Sequence, residues 1–199
     1  QGEAQFSGLP TTFVRLTGCP LRCGYCDTAY AFSGGQWKSI EDILKDVGNN
    51  TTPYVCVTGG EPLAQSRCLV LLTALCDAGY QVSLETSGAL DISEVDARVS
   101  RVMDIKTPAS GESNRNRWEN IELLNARDAL KLVICNRTDY DWAADVVAEK
   151  LQVPCPVFFS PSYDELPAET LAGWILEDKL PVRLQVQLHK VLWGDVAGH

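Results

Sequence analysis

The chain has 199 residues, 45% apolar and 22% charged, with 17 Lys and Arg against 26 Asp and Glu and a formal net charge of −9. That composition fits a folded globular protein with a sizeable core, read as a single domain over 1–199. The absence of any basic run argues against a nucleic-acid partner, and no apolar stretch reaches the roughly 18–20 residues of a membrane span.

The chain opens at Gln1 without Met, so some N-terminal residues are expected to be missing; nothing at its start resembles a secretory signal. Residues 12–16 form a short β-branched and aromatic run that predicts a first strand. Ser39 reads as a helix N-cap with Asp42 three residues on, before Ile40, Ile43, Leu44 and Val47 at helical spacing. A second strand over 54–58 is stopped by Gly59 and Gly60. A strongly apolar helix over 69–76 follows, with Gly79 placed to end it. Further strands are predicted at 81–85, 102–106, 130–135, 157–159 and 182–188, and further helices at 140–150 and 169–178. The stretch 107–120, rich in Gly, Ser, Asn and Arg, reads as a loop. Short apolar strands alternating with helices predict an α/β fold with a parallel sheet.

Polar, Gly-containing clusters recur at the downstream ends of these strands: 58–61, 85–88, 104–107, 160–162 and 187–190. In parallel α/β barrels the site is built on such loops. A complete eight-stranded barrel takes about 250 residues, so an open, partial parallel β/α barrel of about six strands is expected.

Of eight cysteines, Cys19, Cys23 and Cys26 stand at Cys-x3-Cys-x2-Cys spacing in a loop after the first strand. Three close thiolates can hold three irons of a cubane iron–sulfur cluster and leave the fourth open to a substrate or cofactor. A closed electron-transfer cluster takes four thiolates, and a structural zinc site wants a fourth Cys or His. Neither lies near the loop, although a zinc module completed by a remote His stays open as an alternative. The other five, Cys56, Cys68, Cys76, Cys135 and Cys155, read as buried reduced thiols, hence a reducing cytoplasm. At Gly59-Gly60-Glu61-Pro62, glycines would let the backbone approach a ligand closely; a plain strand-to-helix turn would use the same residues.

The cysteine spacing followed by Thr58-Gly59-Gly60-Glu61-Pro62 resembles the signature pair of the radical S-adenosylmethionine superfamily. Gln1-Gly2-Glu3, Arg15, Cys26-Asp27-Thr28, Glu85-Thr86-Ser87-Gly88 and Gln187-Leu188-His189-Lys190 narrow the resemblance to the 7-carboxy-7-deazaguanine synthase family, over nearly the whole length. The resemblance implies a carbon–nitrogen lyase that converts 6-carboxy-5,6,7,8-tetrahydropterin to 7-carboxy-7-deazaguanine with loss of ammonia, toward queuosine and other 7-deazapurines. In such enzymes S-adenosylmethionine chelates the open iron of a [4Fe-4S] cluster and is cleaved reductively. The resulting 5′-deoxyadenosyl radical takes the C6 hydrogen of the pterin, and ring contraction follows.

Residue by residue, the resemblance implies that Cys19, Cys23 and Cys26 ligate the cluster. Tyr25, Cys26 and Asp27 would lie along the adenine; Gly59, Gly60 and Glu61 would receive the methionine amino group. Glu85 and Ser87 with Asp104, Ile105 and Lys106 would serve the ribose hydroxyls and methionine carboxylate, and Ser160, Pro161 and Ser162 would close over the adenosine. Asp104-Ile105-Lys106 departs from the Ser-Pro-Lys of family members and keeps only the Lys. Thr28 would give one oxygen to a Mg²⁺, an ion commonly held by one or two protein groups plus substrate. Gln1, Gly2, Glu3, Arg15, Thr58, Gln187 and His189 are the expected pterin contacts. A carboxylate and carboxamide suit the amide and amidine edge, and Arg15 suits the substrate carboxylate. An ordinary surface role for Arg15 or His189, and packing for Tyr25, stand beside these. The resemblance further implies a homodimer and a flavodoxin-like electron donor, with neither nucleic acid nor membrane as partner. A glycyl-radical-enzyme activase and a non-catalytic iron–sulfur or zinc module are the competing readings.

Overall fold

The computed structural model describes residues 1–196; residues 197–199 lie outside it. Strands β1 (Thr12–Leu16), β2 (Tyr54–Gly59), β3 (Gln81–Thr86), β4 (Ser100–Ile105), β5 (Ala129–Ile134), β6 (Val157–Pro161) and β7 (Arg183–Leu184) lie side by side in sequence order. Every neighbouring pair is parallel, and the sheet stays open, with β1 and β7 at its two edges. Helices α1 (Ile40–Gly48), α2 (Cys68–Asp77), α3 (Arg137–Lys150) and α4 (Ala168–Asp178) lie in the connections, and α5 (Leu188–Trp193) follows β7.

Side chains alternate between the faces of a strand, and here the two faces differ in chemistry. Val55, Val57, Leu84, Met103, Ile105, Leu130, Leu132 and Phe159 enter one apolar core with Leu71, Leu72, Leu75, Tyr140 and Leu171 from the helices. The opposite, concave face carries Arg15, Thr58, Glu85, Asp104, Lys131 and Ser160. At its base Ala4, the first residue of the short N-terminal turn Ala4–Phe6, packs on Val102, Ala129 and Phe158.

Local signals account for the helix ends. Ser39 Oγ accepts from the Asp42 amide and donates to its carboxylate, which orients the first turn of α1. After α2, Gly79 takes a left-handed φ of +88° while its amide bonds to Cys76 and that of Tyr80 to Leu75, a Schellman ending.

Two crossovers, β3 to β4 and β4 to β5, contain no α-helix. Ile92, Val95, Leu124, Trp118 and Ile121 cover the sheet there instead. Beneath them a buried ion pair forms, Arg101 Nη2 to Asp128 Oδ2 at 2.6 Å.

The sheet has seven strands, in line with the about six expected, and the last differs from its prediction. Only Arg183 and Leu184 pair with β6; Gln187 precedes α5 rather than lying in a strand. An edge strand has one partner; past Leu184 the Gln185 amide makes a last bond to Phe159 O, and its carboxamide reaches the N-terminal turn. It accepts from the Ala4 amide at 2.6 Å and donates to the Ala4 carbonyl at 3.1 Å. Cys135 also departs from expectation: Cys56, Cys68, Cys76 and Cys155 are buried, but Cys135 is half-buried. It lies just past β5, where its amide caps onto Asp139.

Candidate active site

The downstream ends of the strands surround a cavity of about 660 Å³. Cys19, Cys23 and Cys26 all reach its wall as free, half-buried thiols. Their loop is held from behind: the Gly24 amide donates to Ser110 O at 3.0 Å and the Arg22 amide to Glu112 Oε1 at 2.6 Å. The segment that supplies those acceptors is itself fixed by Asp139, a buried carboxylate that accepts from Thr107 Oγ1, the Ala109 amide and the Cys135 amide. Burial pushes the Cys19 and Cys23 thiols above their usual range. Among the described residues no three His, Cys, Asp or Glu side chains converge as a single metal ion requires. The thiols are therefore not gathered on one point, as four-coordinate zinc would need.

The Gly59-Gly60 turn is shaped first by the chain itself. Gly59 has φ +153°, and a Cβ there would stand 1.9 Å from Leu16 O; at Gly60 it would stand 2.3 Å from Gly18 O and 2.8 Å from Cys19 Cβ. The Gly60 and Glu61 amides donate to Leu16 and Gly18 carbonyls. Glycine is needed here so that β2 can seat the root of the cysteine loop, and both glycines still line the cavity.

Glu61 does not line the cavity. Its carboxylate is fully buried and accepts from the Leu63 amide (3.0 Å), Thr86 Oγ1 (3.0 Å), the Ser87 amide (2.6 Å) and Ser87 Oγ (2.5 Å). Ile105 is likewise in the apolar core, with its side chain directed away from the cavity. The other residues expected at the site reach the wall, Thr28, Pro161 and Ser162 among them.

Those residues form groups. Glu85 accepts from Gln1 Nε2 at 3.0 Å and Thr58 Oγ1 at 2.8 Å, which joins it to two of the residues expected at the pterin. Lys106 Nζ pairs with Asp104 at 2.8 Å. Burial opposes both charges and is outweighed only by the neighbours together: Lys106 and Lys131 hold Asp104 below the usual carboxylate range, and Asp104 with Tyr25 and Cys23 holds Lys106 above the usual lysine range. Arg15 stacks over Tyr30, 5.5 Å from the ring centroid, and makes no hydrogen bond or ion pair among the described residues. Ser160 Oγ is buried without a hydrogen-bond partner among the described residues. Burial pushes the Tyr25 phenol up to about 12.

The two ends of the chain close the mouth. The Leu188 amide donates to Gly2 O at 3.0 Å, and a Cβ at Gly2 would stand 2.3 Å from His189 Nδ1. Asp27 accepts from Gln187 Nε2 at 3.2 Å and lies 3.5 Å from Lys190 Nζ. Burial opposes its charge, but Gln187, Lys131 and Lys190 together hold the Asp27 carboxyl below its usual range.

Lys131 is a wall residue the sequence reading missed. It pairs with Glu3 at 2.8 Å. The available signal was a lone cation between Leu130 and Leu132 in an apolar strand.

The family model for the Radical SAM superfamily matches residues 13–105. The 7-carboxy-7-deazaguanine synthase of Chlorobaculum tepidum is 45% identical over 198 residues, which is 98% of this chain and 90% of that protein. The enzyme of that name from Koribacter versatilis is 39% identical over 97% of this chain and 92% of its own length. The one from Thermoplasma acidophilum is 34% identical over 100% and 95%. Among solved structures, Streptococcus suis SuiB bound to S-adenosylmethionine overlays with a TM-score of 0.61 at 14% identity; it matches 88% of this chain, which spans 46% of SuiB. The anSMEcpe structure with bound AdoMet and a Cp18Cys peptide gives 0.54 at 15% identity, over 94% of this chain and 67% of that one. At such identities the two structures show the fold: an open parallel sheet under helices.

Proposed function

The chain belongs to the 7-carboxy-7-deazaguanine synthase family, and from that premise we propose that it converts 6-carboxy-5,6,7,8-tetrahydropterin to 7-carboxy-7-deazaguanine with loss of ammonia. One observation carries the reading beyond the family name. A single cavity is lined by three thiols, a set of hydrogen-bonding groups and a guanidinium with no ion pair among the described residues. Its volume, about 660 Å³, lies within the range of small-molecule sites.

The donor set fits the cofactors. Cys19, Cys23 and Cys26 would hold a [4Fe-4S] cluster, with no fourth thiol at the wall. At the Gly59-Gly60 turn the Gly60 and Glu61 amides are taken by the chain itself, and its carbonyl oxygens would suit the methionine ammonium of S-adenosylmethionine. Lys106 would face the methionine carboxylate, and the unsatisfied Ser160 hydroxyl would meet the adenosine beside Tyr25, Asp27, Pro161 and Ser162. When bound, these cofactors supply reductive sulfonium cleavage and hydrogen-atom abstraction from the substrate; the protein supplies position and exclusion of water.

The remaining roles fall to side chains. Arg15, having no carboxylate partner among the described residues, would take the pterin carboxylate in a charge-assisted pair. Glu3 presents an uncommitted acceptor for the amide and amidine edge, with Gln1 and Glu85 beside it; Gln1 and Thr58 hold Glu85, while Gln187 and His189 would lie at the rim. Thr28, whose hydroxyl lies 3.8 Å from Cys26 Sγ, would give one oxygen to Mg²⁺, with waters and substrate completing the shell. Ser87 and Glu61 support the site through their mutual hydrogen bonds.

The test is anaerobic turnover of the carboxypterin with dithionite and S-adenosylmethionine, followed by deazapurine absorbance. Product is expected, Mg²⁺ is expected to raise the rate, and Cys26→Ala is expected to abolish both cleavage and product. Product formation by Cys26→Ala at the parental rate would overturn the cluster assignment.

A further inference from the structure

Lys131 interrupts an otherwise apolar strand, Ala129–Ile134. Its side chain and that of Glu3 are each only 12% exposed, and Nζ donates to Glu3 Oε1 at 2.8 Å. Burying charge is costly unless it is paired, and the same face of β5 carries Val133 nearer the mouth and Ala129 below. Packing alone would have been met by a third apolar side chain.

The charges around Lys131 are arranged to keep it cationic. Burial alone would lower its affinity for a proton, but Glu3 first, then Asp104 and Glu85, more than offset that, so the ammonium is held above its usual range. Asp104 lies directly opposite on β4 in register but gives its own short contact to Lys106. Glu85 gives both its oxygens to Gln1 and Thr58. Lys131 is therefore committed to Glu3.

Glu3 is committed only in part. Oε1 is taken by Lys131, while Oε2 makes no hydrogen bond among the described residues. The residue sits in extended conformation at the start of the N-terminal turn, a segment with no strand of its own. Lys131 is the one side chain among the described residues that fixes where this carboxylate points.

We propose that Lys131 is a positioning residue for substrate recognition: by engaging Oε1 it holds the Glu3 carboxylate so that Oε2 meets the N–H donors of the pterin's amidine edge. The inference rests on the pterin reading above. A residue that merely pinned the N-terminal segment would act on stability and on every ligand alike. A positioning residue acts on the edge that Glu3 reads.

The experiment compares 6-carboxytetrahydropterin with 6-carboxytetrahydrolumazine, which carries an oxygen in place of the 2-amino group. Binding is measured by anaerobic calorimetry on reconstituted, S-adenosylmethionine-bound enzyme, alongside KM and kcat. A site that hydrogen-bonds a substrate N–H rejects an analogue lacking it, here by at least ~100-fold in the parent. Lys131→Met is expected to weaken pterin binding ~10–100-fold and lumazine binding less than ~3-fold, with the loss in KM and not kcat. Lys131→Arg is expected to restore most of it. The double variant Glu3→Gln with Lys131→Met removes both charges, which guards against misfolding from a single buried ion. It is expected to bind the pterin as Glu3→Gln alone does, within ~2-fold, because Lys131 acts only through Glu3. Unchanged pterin binding by Lys131→Met, equal losses for both ligands, or multiplying effects in the double variant would each overturn the inference. If the parent converts the pterin and any of these is seen, this inference falls alone; a parent that neither binds nor converts it overturns the substrate reading and this inference together.

Discussion

Glu61 belongs to a motif that reads as a ligand contact, yet its carboxylate is fully buried and faces hydrogen-bond donors only. Glu61→Gln keeps the shape and tests which role is real. If the retained oxygen occupies the Oε2 position, the two bonds from Ser87 survive in weakened form. The new amide nitrogen then meets the Leu63 N–H, donor against donor. The lost charge-assisted bond is worth about 1.5–3 kcal/mol and the stranded amide about 1–3 kcal/mol. A net destabilisation of about 3–5 kcal/mol is expected, and at ~2–4 °C per kcal/mol for a domain of this size the melting point should fall by roughly 10 °C. Urea unfolding of the cluster-free, reduced protein is the assay, with the midpoint lowered and the slope unchanged. Stability within about 0.5 kcal/mol of the parent, combined with a large loss of S-adenosylmethionine affinity, would refute the reasoning. That result would mean the carboxylate serves the ligand and not the β2–β3 junction.

Gly60→Ala drives a Cβ to 2.3 Å from Gly18 O and 2.8 Å from Cys19 Cβ; displacement of the cysteine loop is expected to leave iron and sulfide content after reconstitution below about half of the parent's, and full loading would contradict it. Arg101→Met leaves Asp128, which is 0% exposed, as an unpaired buried charge, so unfolding should be easier by about 3–5 kcal/mol while pterin KM stays unchanged, read by urea titration and steady-state kinetics. For the Asp104–Lys106 pair, burial works against both charges, yet Lys106 lowers the Asp104 carboxyl and Asp104 raises the Lys106 ammonium. The depressed carboxyl contributes stability that is present above the unfolded value of about 3.9 and lost as pH falls through the lower folded one. The raised ammonium contributes stability that is present below about 10.4 and lost as pH rises through the folded value. Cluster-free protein should therefore hold its stability from about pH 5 to 9, and Asp104→Asn should be less stable at pH 7 with a shallower fall on the acid side, measured by urea midpoints across pH.

Much of this architecture could be read from the chain because it is written locally. The inner strands are apolar on the helix-facing side, the Ser39 and Gly79 ends of helices announce themselves, and the cysteine loop and Gly-Gly turn mark the site's side of the sheet. What escaped was set by partners distant in sequence. The alternation of Val182, Leu184, Val186 and Leu188 reads as a strand, but the ladder ends with the Gln185 amide on Phe159 O, and the Gln185 side chain turns to clasp Ala4. Glu61 looks like a ligand contact until Thr86 and Ser87, brought alongside by strand pairing, take up its oxygens. Glu85 is held for the same kind of reason, since Gln1 and Thr58 donate to its two oxygens. These shifts share a cause. The cluster end of the cavity is built from one continuous loop and the turn beneath it, so its residues are neighbours in the chain. The part proposed to meet the substrate is assembled from the first three residues, four strands and the segment after β7, joined by Gly2 to Leu188 and Glu3 to Lys131. The thiol-bearing part of the wall can thus be spelled by a motif, whereas the rest depends on which side chains the sheet order sets face to face, and there a single unexplained lysine in an apolar strand is the more informative mark.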